Sequence, residues 1–443
     1  MNQFKKIIQY IARHRYGFTL FAFLVAAAVT GVSCVWFMKA FEFVLKHRLD
    51  FNSVGRWCWL TTPLLFVIAA ELVRRIAPCA AGTGIPQAIF AAKHLESETE
   101  RKLWPLFSPL TLGVKVLAIL IALAAGASMG REGPTVHVGV CVFLFILMGM
   151  RRLTGISFDL RSGVVAGGAA GLAAAFNTPL AGVTFAIEEL TVDYFASVKD
   201  FMVMAIIIAA LSAKAITGEY SYFGRLIEPP NVPWFATLLI GISGGVLGAL
   251  FSTGIIRGQR FLEPYQKSFY RYLVPATLSI GMLLVAAIAG TRVLGPGNLV
   301  AQGLLGGDYS RWVLSYPLAK IGTTLLTYWS GLAGGIFAPS LSIGAGLGSS
   351  IGHWMNIPMA GCALLGMAAF LSGTIQAPIT SFVIIFEMTG QHQMLLPVML
   401  ASLIAFMTAR LLGAAHLYPT LSTRYQYLLD TTATQTMPRV KSS

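Results

Sequence analysis

Residues 16–43 form a largely apolar stretch longer than the ~20 residues a helix needs to cross a hydrocarbon core, and more such stretches follow. They lie near residues 61–72, 109–125, 135–150, 163–176, 180–190 and 201–215, then 234–254, 274–289, 314–332, 341–354, 361–371, 379–388 and 395–412. Inside a bilayer every backbone N–H and C=O must find its partner within the protein, which leaves only helices or a closed barrel. Barrel strands read as short alternating segments, and these stretches do not alternate. Composition agrees: 11% of the 443 residues are charged, where a soluble chain carries roughly 25%, and mean hydropathy is +0.71. The sequence therefore reads as an all-α integral membrane protein. Its 45 glycines read as sites of close helix–helix packing.

The formal net charge of +14 does not point to nucleic acid, because the cations sit in short clusters between apolar stretches. Lys5, Lys6, Arg13 and Arg15 precede the first stretch, and the positive-inside rule puts that end in the cytoplasm. A cleavable signal peptide fits less well, since the stretch is too long and has no convincing small-residue cleavage site. Cys34, Cys58, Cys79, Cys141 and Cys362 lie in or beside apolar segments without a C-x-x-C pair, and read as small structural hydrophobes. No H-E-x-x-H pattern or Cys/His cluster calls for a metal. Gly344-Ala-Gly-Leu-Gly348 imitates a dinucleotide loop but lies in an apolar segment with no preceding strand, so helix packing is the expectation.

Three loops share one grammar, glycines followed by a proline at an incipient helix: Gly82-Thr-Gly-Ile-Pro86, Gly130-Arg-Glu-Gly-Pro134 and Gly334-Gly-Ile-Phe-Ala-Pro339. Proline suits the first turn of a helix, and glycine lets backbone approach a ligand closely. A helix start carries unpaired N–H groups and about half a positive charge, enough to bind an anion. Such partial charges suit a conduction pathway, where a full charge would hold the ion too tightly. Glu132 sits in the second loop, at the beginning of a helix inside the membrane. An intramembrane acid is costly unless functional or paired. A carboxylate competing with a soluble anion for one helix start would act as a gate. His137, on the following helix, reads as a packing residue.

The chain also repeats itself. Phe176-Asn-Thr-Pro-Leu-Ala-Gly-Val-Thr-Phe-Ala-Ile-Glu-Glu189 matches Ile375-Gln-Ala-Pro-Ile-Thr-Ser-Phe-Val-Ile-Ile-Phe-Glu-Met388, with Pro179 to Glu188 and Pro378 to Glu387 equally spaced. Short segments at corresponding places in two halves mark transporter binding sites near the midplane. The expected organisation is an N-terminal cytoplasmic segment at 1–15, a first membrane repeat at 16–216, a link at 217–232, a second repeat at 233–430 and a polar tail at 431–443. Glu188 and Glu387 read as structural partners in packing or capping.

These motifs resemble those of the CLC chloride channels and proton-coupled chloride transporters. That family carries G-S-G-I-P, G-R-E-G-P and G-x-F-x-P loops and a late tyrosine, which look like Gly82–Pro86, Gly130–Pro134, Gly335–Pro339 and Tyr418 here. The resemblance covers about residues 16 to 430 in the family's order. It implies two inverted-topology repeats of tilted, partly discontinuous helices. It also implies that Thr83 and Tyr418 offer hydroxyls to a central anion, joined by the backbone N–H groups of Ile336 and Phe337. Those near Arg131, Glu132 and Gly133 would hold an outer anion. Glu132 would be the gating and outer proton glutamate, Glu189 the inner proton glutamate, and Lys115 would raise the local potential. Threonine replaces the usual serine at 83; its extra methyl crowds the ion and stiffens the side chain. Gln87 stands where many relatives have an acid.

The resulting expectation is exchange of chloride, or a similar monovalent anion, for protons, with bound chloride ions and no other cofactor. The alternative is a passive channel of the same fold; Glu189 favours exchange, since the family's channels often lack it. A membrane enzyme or scaffold is the distant alternative, and the chain offers no nucleophile–base pair for it. The resemblance further implies a homodimer with both termini cytoplasmic. The lack of an attached regulatory module gives a bacterial inner membrane as the expected location.

Overall fold

The computed structural model describes residues 15–47, 55–95, 100–190, 195–218, 222–223, 232–266, 269–307, 311–428 and 430. All but Arg15 of the expected N-terminal segment, the whole polar tail at 431–443 and most of the 217–232 link lie outside the described residues. The rest is helical, with two isolated β-bridges and no strand among the described residues.

The first half comprises α1 (Arg15–Lys46), α2 (Cys58–Ile76), α3 (Ile85–His94), α4 (Glu100–Phe107), α5 (Pro109–Ala124), α6 (Glu132–Thr154), α7 (Leu160–Phe176), α8 (Pro179–Phe185) and α9 (Phe195–Thr217). The second comprises α10 (Trp234–Gln266), α11 (Leu273–Ala289), α12 (Asn298–Leu305), α13 (Tyr316–Trp329) and α14 (Phe337–Met355). It continues with α15 (Met359–Ile375), α16 (Pro378–Thr389), α17 (Leu395–Leu411) and α18 (Leu417–Ser422). Five helical segments among the described residues are long and apolar enough to cross a membrane. Several others are shorter apolar helices.

The repeat extends well beyond the segment legible in the sequence. Gly82-Thr-Gly84 opens α3 with both glycines at positive φ, and Gly295-Pro-Gly297 opens α12 in the same way. Lys115 on α5 donates to Gly82 O at 3.1 Å, and Lys320 on α13 donates to Gly295 O at 2.6 Å. The interval from Lys115 to Glu132 equals that from Lys320 to Phe337, so α6 and α14 correspond. Both α7 and α15 end on a non-glycine residue in the left-handed region, Asn177 (φ 57°) and Gln376 (φ 61°). A proline then starts α8 and α16. Small residues draw the central pairs together: a Cβ on Gly139 of α6 would lie 2.3 Å from Gly167 O of α7. One on Gly348 of α14 would lie 1.8 Å from Cys362 O of α15. The Gly344–Gly348 run is thus a packing seam.

The two halves are joined by a reciprocal exchange of helix caps. Glu188 accepts from the N–H groups of Ile379 (3.0 Å) and Thr380 (2.6 Å) at the start of α16. Glu387 accepts from Leu180 (3.0 Å) and Ala181 (2.7 Å) at the start of α8. Each acid closes one helix and caps the other, which requires the two to run antiparallel. That is the arrangement of inverted repeats.

The polar run at 94–102 is helical from Glu100, where α4 begins. There Glu100 suits the helix start and pairs with Arg151 at 2.9 Å, while Leu103, Leu106 and Phe107 are buried. Helix α12 falls between the expected spans, being too short to register as one. The five cysteines are free and buried.

The reciprocal caps carry a test. Hydrogen bonds to a charged group contribute about 1.5–3 kcal/mol, so Glu387→Gln and Glu188→Gln should each lower stability by about 1–2 kcal/mol. Thermal unfolding in detergent should show similar losses for the two; a large loss for one alone would break the symmetry argument.

Candidate functional site: a buried carboxylate among converging helix starts

The three glycine loops meet through their backbones. Gly82 N–H donates to Leu332 O (3.2 Å) and Gly334 N–H to Gly82 O (3.3 Å). Gly130 and Gly335 exchange both hydrogen bonds, at 2.7 and 2.9 Å. This stitching brings the N-termini of α3, α6 and α14 to one region, each with unsatisfied N–H groups. At Gly84 (φ +108°) a Cβ would come within 2.6 Å of His137 Cβ and 2.8 Å of Gly133 O. The absence of a side chain there lets α3 start against the first turn of α6.

Glu132 is fully buried at the start of α6. Its Oε2 accepts from Ala338 N–H at 3.3 Å, and its Oε1 from the Tyr222 hydroxyl at 3.1 Å. The carboxylate therefore folds back onto the N-terminus of α14, where an anion would be favoured. Gly130 permits this, since a Cβ there would lie 2.3 Å from Glu132 Oε2. The Arg131 side chain points elsewhere: it pairs with Glu42 of α1 and lies over the Tyr222 ring, 5.2 Å from its centroid. Only the backbone of Arg131 remains placed for an anion.

Beside Glu132, the Tyr418 hydroxyl is buried without a hydrogen-bond partner among the described residues. Leaving a buried hydroxyl unpaired costs about 1–3 kcal/mol. Its ring stacks on Phe337, with centroids 6.1 Å apart and planes 7° from parallel. Phe337 in turn touches Phe176 and Phe185, both at 6.4 Å. Thr83 lies against Gly133, whose Cβ would meet Thr83 Cβ at 3.0 Å. Thr83 Oγ1 accepts from Ile85 N–H at 3.3 Å, which leaves its own proton to donate. Ile336 and Phe337 occupy the N-cap and first position of α14. Lys115, fully buried, fastens the loop at Gly82 O.

Glu189 is buried in a single π-turn, Ala186–Leu190, that continues α8. An extra residue in one turn is a feature common at functional sites. Here Glu188 caps α16 while its neighbour Glu189 stays inside. The Tyr418 hydroxyl is within electrostatic reach of both Glu189 and Glu132, and Lys93 at the end of α3 reaches Glu189. Thr83, Glu132, Gly133, Ile336, Phe337, Tyr418 and Lys115 thus share one neighbourhood, with Glu189 set off beyond Tyr418.

Two cavities approach this region and share no lining residue. One of about 360 Å³ runs from Arg74, Arg75, Arg271 and Arg424 to Gly82 and Tyr328. The other, about 240 Å³, reaches Arg131 between the C-terminal parts of α1 and α9. Glu132 lines neither and is closed from solvent.

Three participants escaped the sequence reading. Ala338 contributes only backbone, and Glu42 and Tyr222 reach Arg131 and Glu132 across long intervals of chain. Gln87 donates to Cys79 O (3.0 Å) and Ala81 O (2.9 Å), holding the approach to Gly82. A carboxylate at 87 could not make those bonds when ionised. His137 donates from Nε2 to Leu106 O (2.8 Å) and packs edge-on against Phe107, as a packing residue does.

Comparisons with known proteins agree with this architecture. The family described as Voltage gated chloride channel matches residues 64–410. The H(+)/Cl(-) exchange transporter ClcA of Salmonella agona (strain SL483) is 31% identical over 428 residues, covering 91% of this chain and 88% of its own. The ClcA of Vibrio cholerae serotype O1 (strain M66-2) is 32% identical over 437 residues, covering 93% and 91%. Among solved structures, a slow cyanobacterial Cl-/H+ antiporter superposes with a TM-score of 0.79 at 24% identity, covering 94% of this chain and 99% of that one. A CLC-type fluoride/proton antiporter gives 0.74 at 21% identity, covering 91% and 98%. Matched over most of its length in sequence and in fold, this multi-pass helical chain belongs to the voltage gated chloride channel family, the CLC proteins.

Proposed function

We propose that the protein exchanges chloride, or a similar monovalent anion, for protons across a membrane. The observation that carries this reading is the position of the Glu132 carboxylate, bound to the N–H of Ala338 on α14 and within electrostatic reach of the unpartnered Tyr418 hydroxyl. An anion on the same helix start would take that hydrogen bond and give Tyr418 a partner. The relatives named as H(+)/Cl(-) exchange transporters support the same reading.

The cycle follows from competition. While ionised, Glu132 occupies the helix start and the path between the two cavities is closed. Protonation removes the charge that holds it there, so an anion can displace it. The anion then rests on peptide N–H groups near Ile336 and Phe337 and on the hydroxyls of Thr83 and Tyr418, with Gly133 and the Arg131 backbone forming an outer position. Such neutral donors let the ion leave as readily as it enters. Glu189 passes protons between Glu132 and the other side. A passive channel has no need of that second buried acid, whose burial is costly without a role. No catalytic chemistry is assigned to the chain. Its cargo is chloride and protons, and its setting is a bacterial inner membrane, as a homodimer with both termini in the cytoplasm.

The decisive measurement is reversal potential in liposomes under opposed chloride and proton gradients. Exchange predicts that a chloride gradient drives protons uphill; a reversal potential at the chloride equilibrium value would leave a channel instead. Glu132→Gln cannot take up or release a proton and should lose proton coupling while still passing anion. Uphill proton movement at the wild-type rate in that variant would remove Glu132 from its role. For Glu189→Gln, proton flux should fall to background with anion flux retained, and unchanged proton flux would show the inner relay to be elsewhere.

A further inference from the structure

We infer that Tyr222 is a positioning residue that latches the Glu132 carboxylate in its closed place and sets the pH at which it lets go. This inference rests on the competition described above. Tyr222 lies in the link between the repeats, yet its side chain is buried and its hydroxyl donates to Glu132 Oε1 at 3.1 Å. Its approach is fixed from several directions. Gln302 of α12 donates to the Tyr222 carbonyl at 2.6 Å. Phe176 and Phe223 meet its ring edge-on, at 5.4 and 4.8 Å. The Arg131 guanidinium lies over the ring, itself tied to Glu42. A donor held so firmly strengthens its bond to the ionised acid without any ordering cost at the moment of binding.

The symmetry of the molecule isolates this contact. Phe337, the counterpart of Glu132 in the second repeat, has no charge to hold. Tyr222 therefore belongs to the gating acid and not to the common scaffold. Among the described residues, the charged and titratable groups facing Glu132 are Arg131 beside it, Tyr222 and Tyr418. Tyr222 donates to the carboxylate, Arg131 acts through charge, and Tyr418 makes no hydrogen bond to it.

Tyr222→Phe removes the donor and keeps the ring. A bond that favours the ionised form lowers proton affinity, so its loss raises it, and Glu132 should release at higher pH. The midpoint of chloride flux against pH should move upward by about one unit, given the usual strength of a hydrogen bond to a carboxylate. Infrared difference spectra, with Glu132→Gln as the reference, should show the carboxyl band of Glu132 titrating upward by the same amount. Gln302→Leu, which loosens the anchor, should shift both in the same direction by less. In a Glu132→Gln background, Tyr222→Phe should change nothing. Superimposable profiles for wild type and Tyr222→Phe, a downward shift, or a shift persisting without Glu132 would each overturn the assignment. Because the infrared titration needs no transport, it separates failure of this latch from failure of the exchange reading, which appears as absence of proton flux in the wild type.

Discussion

The pairing of Gly130 with Gly335 is the contact on which the rest of the site depends. These residues stand at equivalent places in the two repeats, and each gives its N–H to the other's carbonyl. In a medium that supplies no water to broken helices, loop peptides must be satisfied by protein. Here the two loops satisfy each other, and Gly82 does the same with Leu332 and Gly334. The helix starts that follow keep their own N–H groups free and close together. An anion site made of peptide dipoles is thus a by-product of how two interrupted helices can coexist inside a bilayer.

Symmetry separates what holds the fold from what handles the ion. The repeated features are mechanical: the Gly-x-Gly turns at 82–84 and 295–297, the lysines at 115 and 320 that fasten them, the prolines at 179 and 378, and the caps Glu188 and Glu387. At three other positions the halves differ. Thr83 corresponds to Pro296, Glu132 to Phe337 and Glu189 to Met388. Each pair sets a hydroxyl or acid in one half against a group in the other that can neither titrate nor donate. The scaffold tolerates this because the backbone geometry at each site is set by glycine and proline, not by the residue between them.

Much of this was written in the sequence. Gly-Pro spacing announced the three loops, and an acid between apolar spans announced Glu132. The repeat around Pro179 and Pro378 announced the paired halves. What could not be read were contacts with no local pattern. Helix α12 is short and keeps only its two glycines in common with the start of α3, so the second turn of the pair went unseen. Ala338 acts through a backbone N–H that any residue would supply. Glu42 lies near the end of a long apolar helix, where an acid is ordinarily solvated, and only the fold brings Arg131 to it.

Tyr222 shows why a polar link can matter as much as a motif. Two inverted repeats alone would build a site with equal access from both faces, and nothing in a symmetric frame tells one mouth from the other. The connection between them is a single chain, so it must break that symmetry. By placing an aromatic hydroxyl over one helix start and not its counterpart, the link gives the acid at 132 a partner that Phe337 neither has nor could use. The asymmetry of the site therefore resides in what the halves do not share: Glu132 and Glu189 in the first repeat, the link with Tyr222, and the terminal helix with Tyr418.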